Sequence, residues 1–592
     1  MPLSQLSPKK LLGAIKNGCH HIIEQQDILN NINVFPVADG DTGSNLGSTA
    51  LSVIQLSRAG ETIEETLASV AEASLIGARG NSGIIFSQFL NGFHDYLGHT
   101  EQSHIDNFAS LLELANRSVR RAIAEPVEGT MLTIMDTWAR LVSDIPLGAT
   151  ELEKQLVDIL PALKLAVEDT KHTLKVLEDS DVVDAGALGF YHFAYGFSHY
   201  LHAPVELEAR EKPIDIPHPP HQHDVSENPP CHRYCTEGII RGEDLDKEAI
   251  GHTLSSFGDS LVVSGSQNLC RFHIHTSTPE HVYSKMIEVG TVKYPKVDDM
   301  LRQFEMIHQQ KHRIALVMDS SADIPKAWID EHQIHVLPLN MHLDEHDLLD
   351  GYSFEANTFY NTLSTLEQYP KTSLPAQSVI ENKLGMLSDQ YDDVIIITLA
   401  KALSGTHDAI NTIAKRHSNI HVIDSKTSTG AEGLLVNFTG ELIAAGHEVG
   451  CIIKEVKAAV EKVHVFVAVE QFDSLVRSGR ISSFKGKIAQ FAGIKPIITL
   501  CDDGKGVVCA KAMNTPKAMV KLISLIKERS SEQGKTIKEY CIVHAGVEEK
   551  ASSFANLTTE AFSKKPLYTE QVSTAIGLHA GLGAVAICAM ID

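Results

Sequence analysis

Apolar residues recur at three- and four-residue spacing through most of the first 202 residues. This spacing places apolar side chains on one face of a helix, and it is clearest over residues 11–26, 63–78, 105–124 and 152–175. Alternating β-branched residues, which would indicate strands, are scarce in the same region. The pattern therefore predicts an all-α unit at the start of the chain.

A proline-rich stretch ends the helical pattern. Seven prolines lie between Ala203 and His232, and proline removes backbone donors and resists helix formation. We therefore expect an extended, exposed linker over residues 206–232. The histidines within it indicate a polar linker, with adventitious metal binding as the alternative.

After the linker the pattern changes to short strand-like runs, first over residues 258–265 and 270–278. From Arg313 onward, apolar strand-like runs alternate with amphipathic segments. The clearest runs cover residues 313–319, 335–343, 392–399, 419–424 and 539–546. This alternation predicts a largely parallel sheet covered by helices. The predicted domains are thus an all-α domain (1–205), the linker (206–232), a small central α/β domain (233–310) and a C-terminal α/β domain (311–592).

Composition narrows the class of protein. The chain has 592 residues, 43% of them apolar and 21% charged, as in an ordinary globular protein of several domains. The formal net charge of −24 would repel phosphate backbones, which argues against a nucleic-acid partner. Nine scattered cysteines favour reduced thiols and a cytoplasmic location over a disulfide framework. Neither a signal peptide nor a transmembrane segment is predicted.

The densest chemistry in the helical region is the sequence NVFPVADGDTGSN, which runs from Asn33 to Asn45. Two carboxylates, Asp39 and Asp41, flank Gly40 between two predicted helices. Mg²⁺ prefers hard oxygen ligands and is commonly held by one or two carboxylates together with substrate phosphates. The pattern therefore suits a magnesium site, and the alternative is an Asp-Gly turn with helix caps.

A glycine-rich segment, GARGNSG, begins at Gly77 and leads into a helix-like run. Free backbone N–H groups at such a helix start bind anions, so the segment suits a nucleotide phosphate. A capped helix start is the alternative. Two further segments, PVEGTM from Pro126 and DAGALG from Asp184, are not specific by themselves.

Taken together and in this order, these segments resemble the ATP-binding L-subunit (DhaL-like) domain of dihydroxyacetone kinases, in the version that opens the fatty acid kinase A subunit. The resemblance covers about residues 10–200. It implies a barrel of antiparallel helices that holds ATP and two Mg²⁺ ions at one end. The resemblance further implies Mg²⁺ ligands at Asp39, Asp41 and Asn33. It places Gly80, Asn81 and Ser82 at the phosphates, and Thr130 and Gly186 beside the nucleotide.

The central domain carries a candidate metal site. Cys235 lies in YCTE, and His273 and His275 lie in CRFHIHT, where period-two alternation puts both imidazoles on one face of a strand. One thiolate and two imidazoles are typical zinc ligands, and the alternative is a pair of surface or core histidines. The two segments resemble the YCTE and HVHT elements in the central domain of fatty acid kinase A subunits. That resemblance implies a structural Zn²⁺ at the three residues, with Cys231, an acidic side chain or water as the fourth ligand.

The C-terminal domain begins with a strand that ends in Asp319-Ser320-Ser321, which indicates a functional edge of a parallel sheet or an N-capped turn. The motifs TSLP, LSGT, IDSK, SGRIS and GLHAG follow in this order. The series resembles the DegV family, the fatty-acid-binding B subunits of fatty acid kinase, across about residues 313–592. The resemblance implies two α/β subdomains around an apolar acyl tunnel. It implies that the fatty acid carboxylate is bound by Thr372, Ser373, Ser404 and His579, with Arg480 supplying positive charge near the incoming phosphate.

An ATP–Mg²⁺ domain joined to a fatty acid holder predicts a fatty acid kinase, in which the acyl carboxylate attacks the γ-phosphate of ATP and yields acyl phosphate. The carboxylate is already ionised at neutral pH, so no general base is needed. The two anionic substrates, ATP and the fatty acid, must be brought together despite their repulsion. Their charges would be screened and their positions fixed by Asp39, Asp41 and Arg480. The alternatives are a dihydroxyacetone-type small-molecule kinase and a non-catalytic lipid carrier or regulator.

The expected partners are a fatty acid substrate, a downstream acyltransferase and a second copy of the chain in a homodimer. Peripheral membrane contact is expected for lipid exchange, and no nucleic acid is expected. Phosphoryl transfer within one chain and transfer between two chains of a dimer are both open.

Overall fold

The structure is a computed structural model that describes residues 6–35, 40–99, 108–123, 126–145, 152–204, 229–354, 358–360, 368–470, 474, 477, 494–532 and 534–592. The chain divides into two compact units, residues 1–307 and 308–592. Most of the predicted linker, up to residue 228, lies outside the described residues.

The first unit opens with helices, as the three- and four-residue apolar spacing predicted. They are α1 (Pro8–Glu24), α2 (Gln26–Asn31), α3 (Thr42–Leu56), α4 (Ile63–Gly77), α5 (Gly80–His99), α6 (Phe108–Ala122), α7 (Met131–Ser143), α8 (Leu152–Asp158), α9 (Leu160–Asp169), α10 (Lys175–Asp179) and α11 (Ala185–His202). Aromatic rings from α5, α7 and α11 form the centre of their common core. The ring centroids of Phe89 and Phe190 are 4.9 Å apart in an edge-to-face arrangement, and Trp138 is fully buried against them.

The same unit contains a sheet and three more helices. Its elements are β1 (Tyr234–Arg241), α12 (Lys247–Leu254), β2 (Gly258–Gly265), β3 (Leu269–Thr276), α13 (Pro279–Val289), β4 (Thr291–Asp299) and α14 (Met300–His308). The strands form an antiparallel sheet in the order β2-β3-β1-β4. Asn91 Nδ2 of α5 donates to the carbonyl of Gly265 at 2.7 Å, and the Gly265 amide donates to Gln88 Oε1 at 2.8 Å. These buried hydrogen bonds fix the sheet against the helices.

The second unit alternates strands and helices, as predicted. Its elements are β5 (Ile314–Asp319), α15 (Lys326–Glu331), β6 (His335–Leu337), β7 (Asn340–Leu343), β8 (His346–Leu349), β9 (Lys371–Ser373), α16 (Gln377–Gln390), β10 (Asp393–Thr398), α17 (Thr406–Ala414), β11 (Ile420–Asp424), α18 (Thr429–Ala444), α19 (Val449–Val460), β12 (Val463–Ala468), β13 (Lys495–Leu500), β14 (Gly506–Ala512), α20 (Thr515–Glu532), β15 (Ile537–His544), α21 (Glu548–Phe562), β16 (Thr569–Gln571), α22 (Thr574–Ala580) and β17 (Val585–Ile591). The largely buried helix α18 packs against both main sheets of the unit.

The sheets correct one expectation. The sheet β11-β10-β5-β6 is parallel, as predicted, but the sheet β14-β13-β12-β17-β15-β16 is antiparallel except between β15 and β16. The tight turn at Gly504, whose φ is 80°, joins β13 to β14, and a connection this short permits only an antiparallel pair. The run 335–343 is also two strands rather than one, because Pro338 separates β6 from β7.

Candidate functional site

Four helices of the first unit begin at one end of its helical part. The Thr42 hydroxyl at the start of α3 lies 3.4 Å from the Ser82 hydroxyl in the first turn of α5. The starts of α7 and α11 meet because Asp184, the N-cap residue of α11, accepts a hydrogen bond from the Met131 amide. Helix α11 also packs against the first turns of α3. Helix N-termini carry unpaired N–H groups and partial positive charge. Their convergence makes a site suited to phosphates.

Asp41 lies at this end as the N-cap residue of α3. Its half-buried carboxylate makes no capping hydrogen bond to the described backbone of that helix. Gly40 has a φ of 63°, a left-handed conformation that glycine adopts without steric cost. Asn33 Oδ1 accepts a hydrogen bond from Thr42 Oγ1 at 2.9 Å, so α3 orients the predicted third ligand. Asp39 lies outside the described residues, and the paired carboxylate site stays a prediction.

The predicted phosphate-binding segment forms the start of α5. Gly80 has a φ of 53°, and a Cβ there would collide with Asn45 Nδ2. Asn81 Oδ1 is buried and has no hydrogen-bond partner within the described ranges, which leaves a polar atom for a ligand. The Gly80 amide donates to Glu237 Oε1 of β1 at 3.2 Å. A protein carboxylate therefore contacts the amide that sequence reasoning assigned to a phosphate.

Thr130 and Gly186 also lie at the convergent helix starts. Thr130 is the N-cap residue of α7, and its hydroxyl donates to the carbonyl of Val127 at 2.7 Å. Gly186 lies in the first turn of α11, next to the capping carboxylate of Asp184. Burial raises the pKa of Asp184 to about 7, although its carboxylate accepts the Ala187 amide at 2.7 Å. Contact of either predicted residue with a nucleotide stays a prediction.

The structure brings Cys235, His273 and His275 together on the sheet. The antiparallel pairing of β1 with β3 sets Cys235 opposite His275 and Glu237 opposite His273, and alternation puts all four side chains on one face. One ligand atom from the cysteine and from each histidine lies within 4.8 Å of the others. Cys235 Sγ is 3.7 Å from His273 Nδ1. The cluster therefore has the size of a metal site.

The chemistry of this cluster fits a zinc ion. His273 Nε2 is buried with no hydrogen-bond partner among the residues that the structure describes. Burial, followed by the charge of neighbouring histidines, lowers the pKa of His275 to about 3 and keeps the imidazole in its metal-binding neutral form. Asp259 Oδ1 lies 3.7 Å from His275 Nδ1, so an acidic side chain, one of the predicted fourth ligands, lies nearby.

A buried ion pair connects the cluster to α5. Glu237 and Arg271 are both fully buried, and Arg271 Nη2 donates to Glu237 Oε2 at 2.7 Å. Glu237 Oε1 is 3.6 Å from His273 Nδ1 and 3.7 Å from Lys296 Nζ. Burial acts to raise the pKa of Glu237, but these cationic neighbours hold it well below its usual range. Sequence reasoning gave Glu237 no role, although its place two residues after Cys235 put it on the same strand face.

In the second unit, the four predicted carboxylate-binding residues line one cavity of about 330 Å³. Thr372 and Ser373 come from β9, Ser404 from the loop before α17, and His579 from α22. Most of the remaining lining is aliphatic and includes Leu339, Leu374, Leu399, Leu403, Val465, Val467, Val469, Ile498, Leu500 and Ile576. The cavity therefore combines hydrocarbon walls with hydroxyls and an imidazole, as an amphiphile requires.

Hydrogen-bond distances differ among the four polar residues. Thr372 Oγ1 and His579 Nε2 are 3.2 Å apart, so these two form one polar group. Ser404 Oγ lies 2.8 Å from Thr406 Oγ1 at the start of α17. Ser373 is exposed, and its hydroxyl lies 3.0 Å from a ring nitrogen of His342. Thr372 and His579 are thus the best-placed pair for one bound anion.

The predicted cation, Arg480, lies outside the described residues. Arg477 stands directly before the SGRIS motif, and its guanidinium lies 5.8 Å from the ring centroid of Tyr369. The Tyr369 hydroxyl donates to the carbonyl of Leu578 at 2.6 Å, directly before His579. The sequence motifs gave Arg477 no role, and the signal for it is a second arginine three residues before Arg480.

Buried carboxylic acids lie directly behind the cavity wall. Leu399, a lining residue, donates its amide to Asp319 Oδ2 at 2.8 Å. Ser321 Oγ lies 2.6 Å from Asp319 Oδ1 and 3.0 Å from Glu432 Oε2, so it joins these acids rather than capping a helix. Burial raises the pKa of both Asp319 and Glu432. Burial in each case disfavours the charged form of the acid.

Asp323 offers a test of this buried acidity. Burial raises its pKa to about 8, against about 3.9 in an unfolded chain. Between these two pKa values the folded chain keeps the proton of Asp323 and the unfolded chain loses it. The resulting contribution to the free energy of unfolding is complete below about pH 4 and is lost as pH rises toward 8. We therefore expect the free energy of unfolding of the second unit to fall between pH 5 and pH 8. Asp323→Asn should flatten that slope by up to about 1.4 kcal/mol per pH unit.

Urea unfolding followed by the fluorescence of Trp328 measures this slope. Trp328 packs edge to face on Tyr568, whose hydroxyl donates to the Asp323 carbonyl at 2.9 Å. The chain has two tryptophans, so a Trp138→Phe background isolates the signal of the second unit. Equal slopes with and without Asp323→Asn would contradict the raised pKa.

Three family models match consecutive parts of the chain. The "DAK2 domain" model matches residues 36–199, the model for the middle domain of proteins like the A subunit of fatty acid kinase matches 231–307, and "Uncharacterised protein, DegV family" matches 313–592. The chain is therefore a multidomain protein that joins a DAK2 domain to a DegV-family domain. This arrangement matches a fusion of a fatty acid kinase A subunit with a DegV-like B subunit, as the sequence motifs predicted.

Curated relatives cover parts of this arrangement. An uncharacterized protein of Staphylococcus epidermidis is 28% identical over 324 residues, which are 53% of this chain and 58% of that protein. The chain thus spans little more than half the length of that relative. A DegV domain-containing protein of Clostridium acetobutylicum is 28% identical over 278 residues, 46% of this chain and 98% of that protein.

The solved structures with similarity to part of the chain include DegV proteins. DegV from Bacillus subtilis, described as a fatty acid binding protein, is 29% identical, with 48% of this chain and 100% of that chain covered and a TM-score of 0.44. A fatty acid binding DegV family protein from Streptococcus agalactiae is 26% identical, with 47% and 98% covered and a TM-score of 0.44. No helix among the described residues is long and apolar enough to cross a membrane.

Proposed function

We propose that the chain is a fatty acid kinase that transfers the γ-phosphate of ATP to the carboxylate of a fatty acid. The observation that supports this proposal most is the cavity of the second unit. Its lining combines the polar side chains of Thr372, Ser404 and His579 with mostly aliphatic residues. The converging helix starts with Asp41 support the nucleotide half of the reaction. The three matched family models are those of a DAK2 domain, a fatty acid kinase A-like domain and a DegV domain.

The proposed nucleotide site works through backbone dipoles and a few side chains. Amides at the starts of α3 and α5 would donate hydrogen bonds to the phosphates of ATP. The free Asn81 carbonyl oxygen, which only accepts, would contact a bound metal ion. Asp41 and Asn33, with Asp39, would hold Mg²⁺, which neutralises the phosphates when bound. Because the acyl carboxylate is ionised at neutral pH, positioning and charge screening carry the reaction without a general base.

The proposed acyl site holds the carboxylate by hydrogen bonds. Thr372 Oγ1 and His579 Nε2, 3.2 Å apart, would both turn to the carboxylate, and Ser404 would add a third contact. The aliphatic lining would exclude water from the chain of the fatty acid. Arg480 and Arg477 would supply positive charge where the two anionic substrates meet.

One assay tests the proposal. Purified protein is incubated with [γ-³²P]ATP, Mg²⁺ and either oleate or dihydroxyacetone, and acyl phosphate is trapped with hydroxylamine. A fatty acid kinase yields hydroxamate and ADP only with oleate. Turnover with dihydroxyacetone alone would favour the small-molecule kinase, and bound lipid without turnover would favour the carrier.

We further propose that Cys235, His273 and His275 bind one Zn²⁺, which when bound would tie β1 to β3. Cys235→Ser should reduce the zinc content of the purified protein at least about tenfold, because a ligand thiolate is lost. Cys270→Ser is the matched control: Cys270 lies on β3 with its thiol donating to the Ser266 carbonyl at 3.1 Å, which a hydroxyl also satisfies. Elemental analysis that finds the same zinc in both variants would exclude this site.

The remaining partners are proposals as well. We propose a homodimer, an acyltransferase that takes up the acyl phosphate, and peripheral membrane contact during lipid exchange. Native mass spectrometry would report the bound acyl chain and the oligomeric state in one measurement.

A further inference from the structure

A second cavity lies within the first unit, where α5 and α6 face α12 and β2. Its volume is about 650 Å³, within the range of small-molecule sites. Its residues all belong to the first unit and are distinct from those at the helix starts, at the cysteine–histidine cluster and in the DegV-family domain. The fatty acid kinase reaction described above makes no use of it.

The walls of this cavity are fixed by hydrogen bonds rather than by loose surface packing. Gln88 links three elements, because its Oε1 accepts the Gly265 amide of β2 at 2.8 Å and its Nε2 donates to Ser118 Oγ of α6 at 2.6 Å. Lys247 Nζ of α12 donates to the Gly265 carbonyl at 2.6 Å. An isolated backbone bridge between Ile123 and Val262 closes the same junction. The cavity is therefore preorganised, which lowers the cost of binding.

The lining combines two kinds of chemistry. Leu114, Leu261 and Val263 supply an aliphatic surface. Arg117 and Arg121 line the cavity from successive turns of α6, four residues apart and hence on one helix face. Lys247 adds a third cation, and the acidic or titratable groups that also line it are Glu248 and His252.

This charge contrasts with the chain as a whole. Three cations against one carboxylate give a positive cavity in a protein whose formal net charge is −24. Two guanidinium groups on one helix face form charge-assisted, bidentate hydrogen bonds with phosphate or carboxylate oxygens. A purely polar anion would leave the aliphatic side chains of the cavity exposed to water. An alkyl chain would cover these side chains and displace the water.

We propose that this cavity binds a single-chain amphiphile with an anionic head, the acyl chain lying on Leu114, Leu261 and Val263 and the head on Arg117 and Arg121. A carboxylate and a phosphate head share this chemistry, so fatty acid and acyl phosphate are the two candidate sources. The site does not depend on the kinase reaction, and its occupancy is measured separately from turnover.

A photoreactive dodecyl phosphate with a diazirine in its chain tests the site in the full-length protein. Labelled peptides are identified by mass spectrometry, so labelling at α6 and α12 is read independently of labelling in the DegV-family cavity. We expect labelling within residues 108–122 and 247–254. Unlabelled dodecyl phosphate should compete for it, whereas dodecanol and inorganic phosphate, which lack the head and the chain respectively, should not.

Two variants test the two halves of the site. Arg117→Gln with Arg121→Gln changes exposed side chains and should weaken labelling about tenfold by removing charge-assisted bonds. Gly251→Phe should abolish it, because a Cβ at Gly251 meets only Val263 at 4.0 Å and the ring would fill the cavity. Arg140→Gln, an exposed arginine of α7, should leave labelling unchanged.

The outcomes separate the alternatives. Dodecanoate competing as well as dodecyl phosphate would support the amphiphile class with the fatty acid as source, and stronger competition by the phosphate would assign acyl phosphate. Competition by inorganic phosphate alone would overturn the amphiphile. Labelling that neither variant changes, or that is confined to the DegV-family domain, would overturn the site even if fatty acid kinase activity is present.

Discussion

Asp41→Asn should lower fatty-acid-dependent ATP turnover by about 10²–10³-fold while leaving bound lipid in place. The amide keeps the size of the side chain but removes the charge that Mg²⁺ prefers in its ligands. Asp41 caps no described amide of α3, so the change should leave that helix intact. Turnover is measured by hydroxylamine trapping, and lipid content by native mass spectrometry of the same preparation.

The matched control for this variant is Asp27→Asn, which neutralises an exposed carboxylate on α2. Both variants change the net charge by one, so a general electrostatic effect would appear in both. Turnover of Asp41→Asn equal to that of the control would contradict a metal-binding role. Loss of bound lipid in Asp41→Asn would instead indicate a structural defect.

Glu237→Gln should destabilise the first unit by about 3–5 kcal/mol, because it leaves the fully buried Arg271 without its opposite charge. The same carboxylate accepts the Gly80 amide, so the start of α5 would lose a partner as well. Urea unfolding followed by Trp138 fluorescence in a Trp328→Phe background measures the change within the first unit.

A double variant separates the ion pair from other effects of this substitution. Glu237→Gln combined with Arg271→Met removes both buried charges, and we expect it to recover much of the lost stability. Glu243→Gln, an exposed change in the same unit, should cost nearly nothing. If Glu237→Gln costs no more than Glu243→Gln, the ion pair does not stabilise the unit.

Local patterns predicted most of the fold. The helical spacing of residues 11–26 and 152–175 became α1 and the pair α8 and α9, and the apolar runs at 313–319 and 392–399 became neighbouring parallel strands. The antiparallel character of the larger sheet was missed because it depends on hairpin connections such as Gly504, not on the composition of each strand. Pro338 carried the signal that two strands, not one, lie between residues 335 and 343.

The candidate sites were predictable where they depend on residue type and strand alternation. His273 and His275 are two residues apart on one strand, so their common face followed from periodicity alone. The approach of Cys235 depends on the register between β1 and β3, which period-two alternation does not determine. The contact of Glu237 with Gly80 joins residues 157 positions apart, and no local pattern carries that information.

Helices α3 to α11 and the sheet of the first unit match different family models, yet the contacts between them are buried. The hydrogen bonds of Gly80 to Glu237 and of Asn91 to Gly265 cross from the DAK2 segment to the middle domain. The boundary between the two matched family models is therefore not a boundary between two independently folding units. Cutting the chain between residues 204 and 229 would separate two pieces, each with interior donors and acceptors newly exposed to water, so neither piece is expected to behave as an autonomous module.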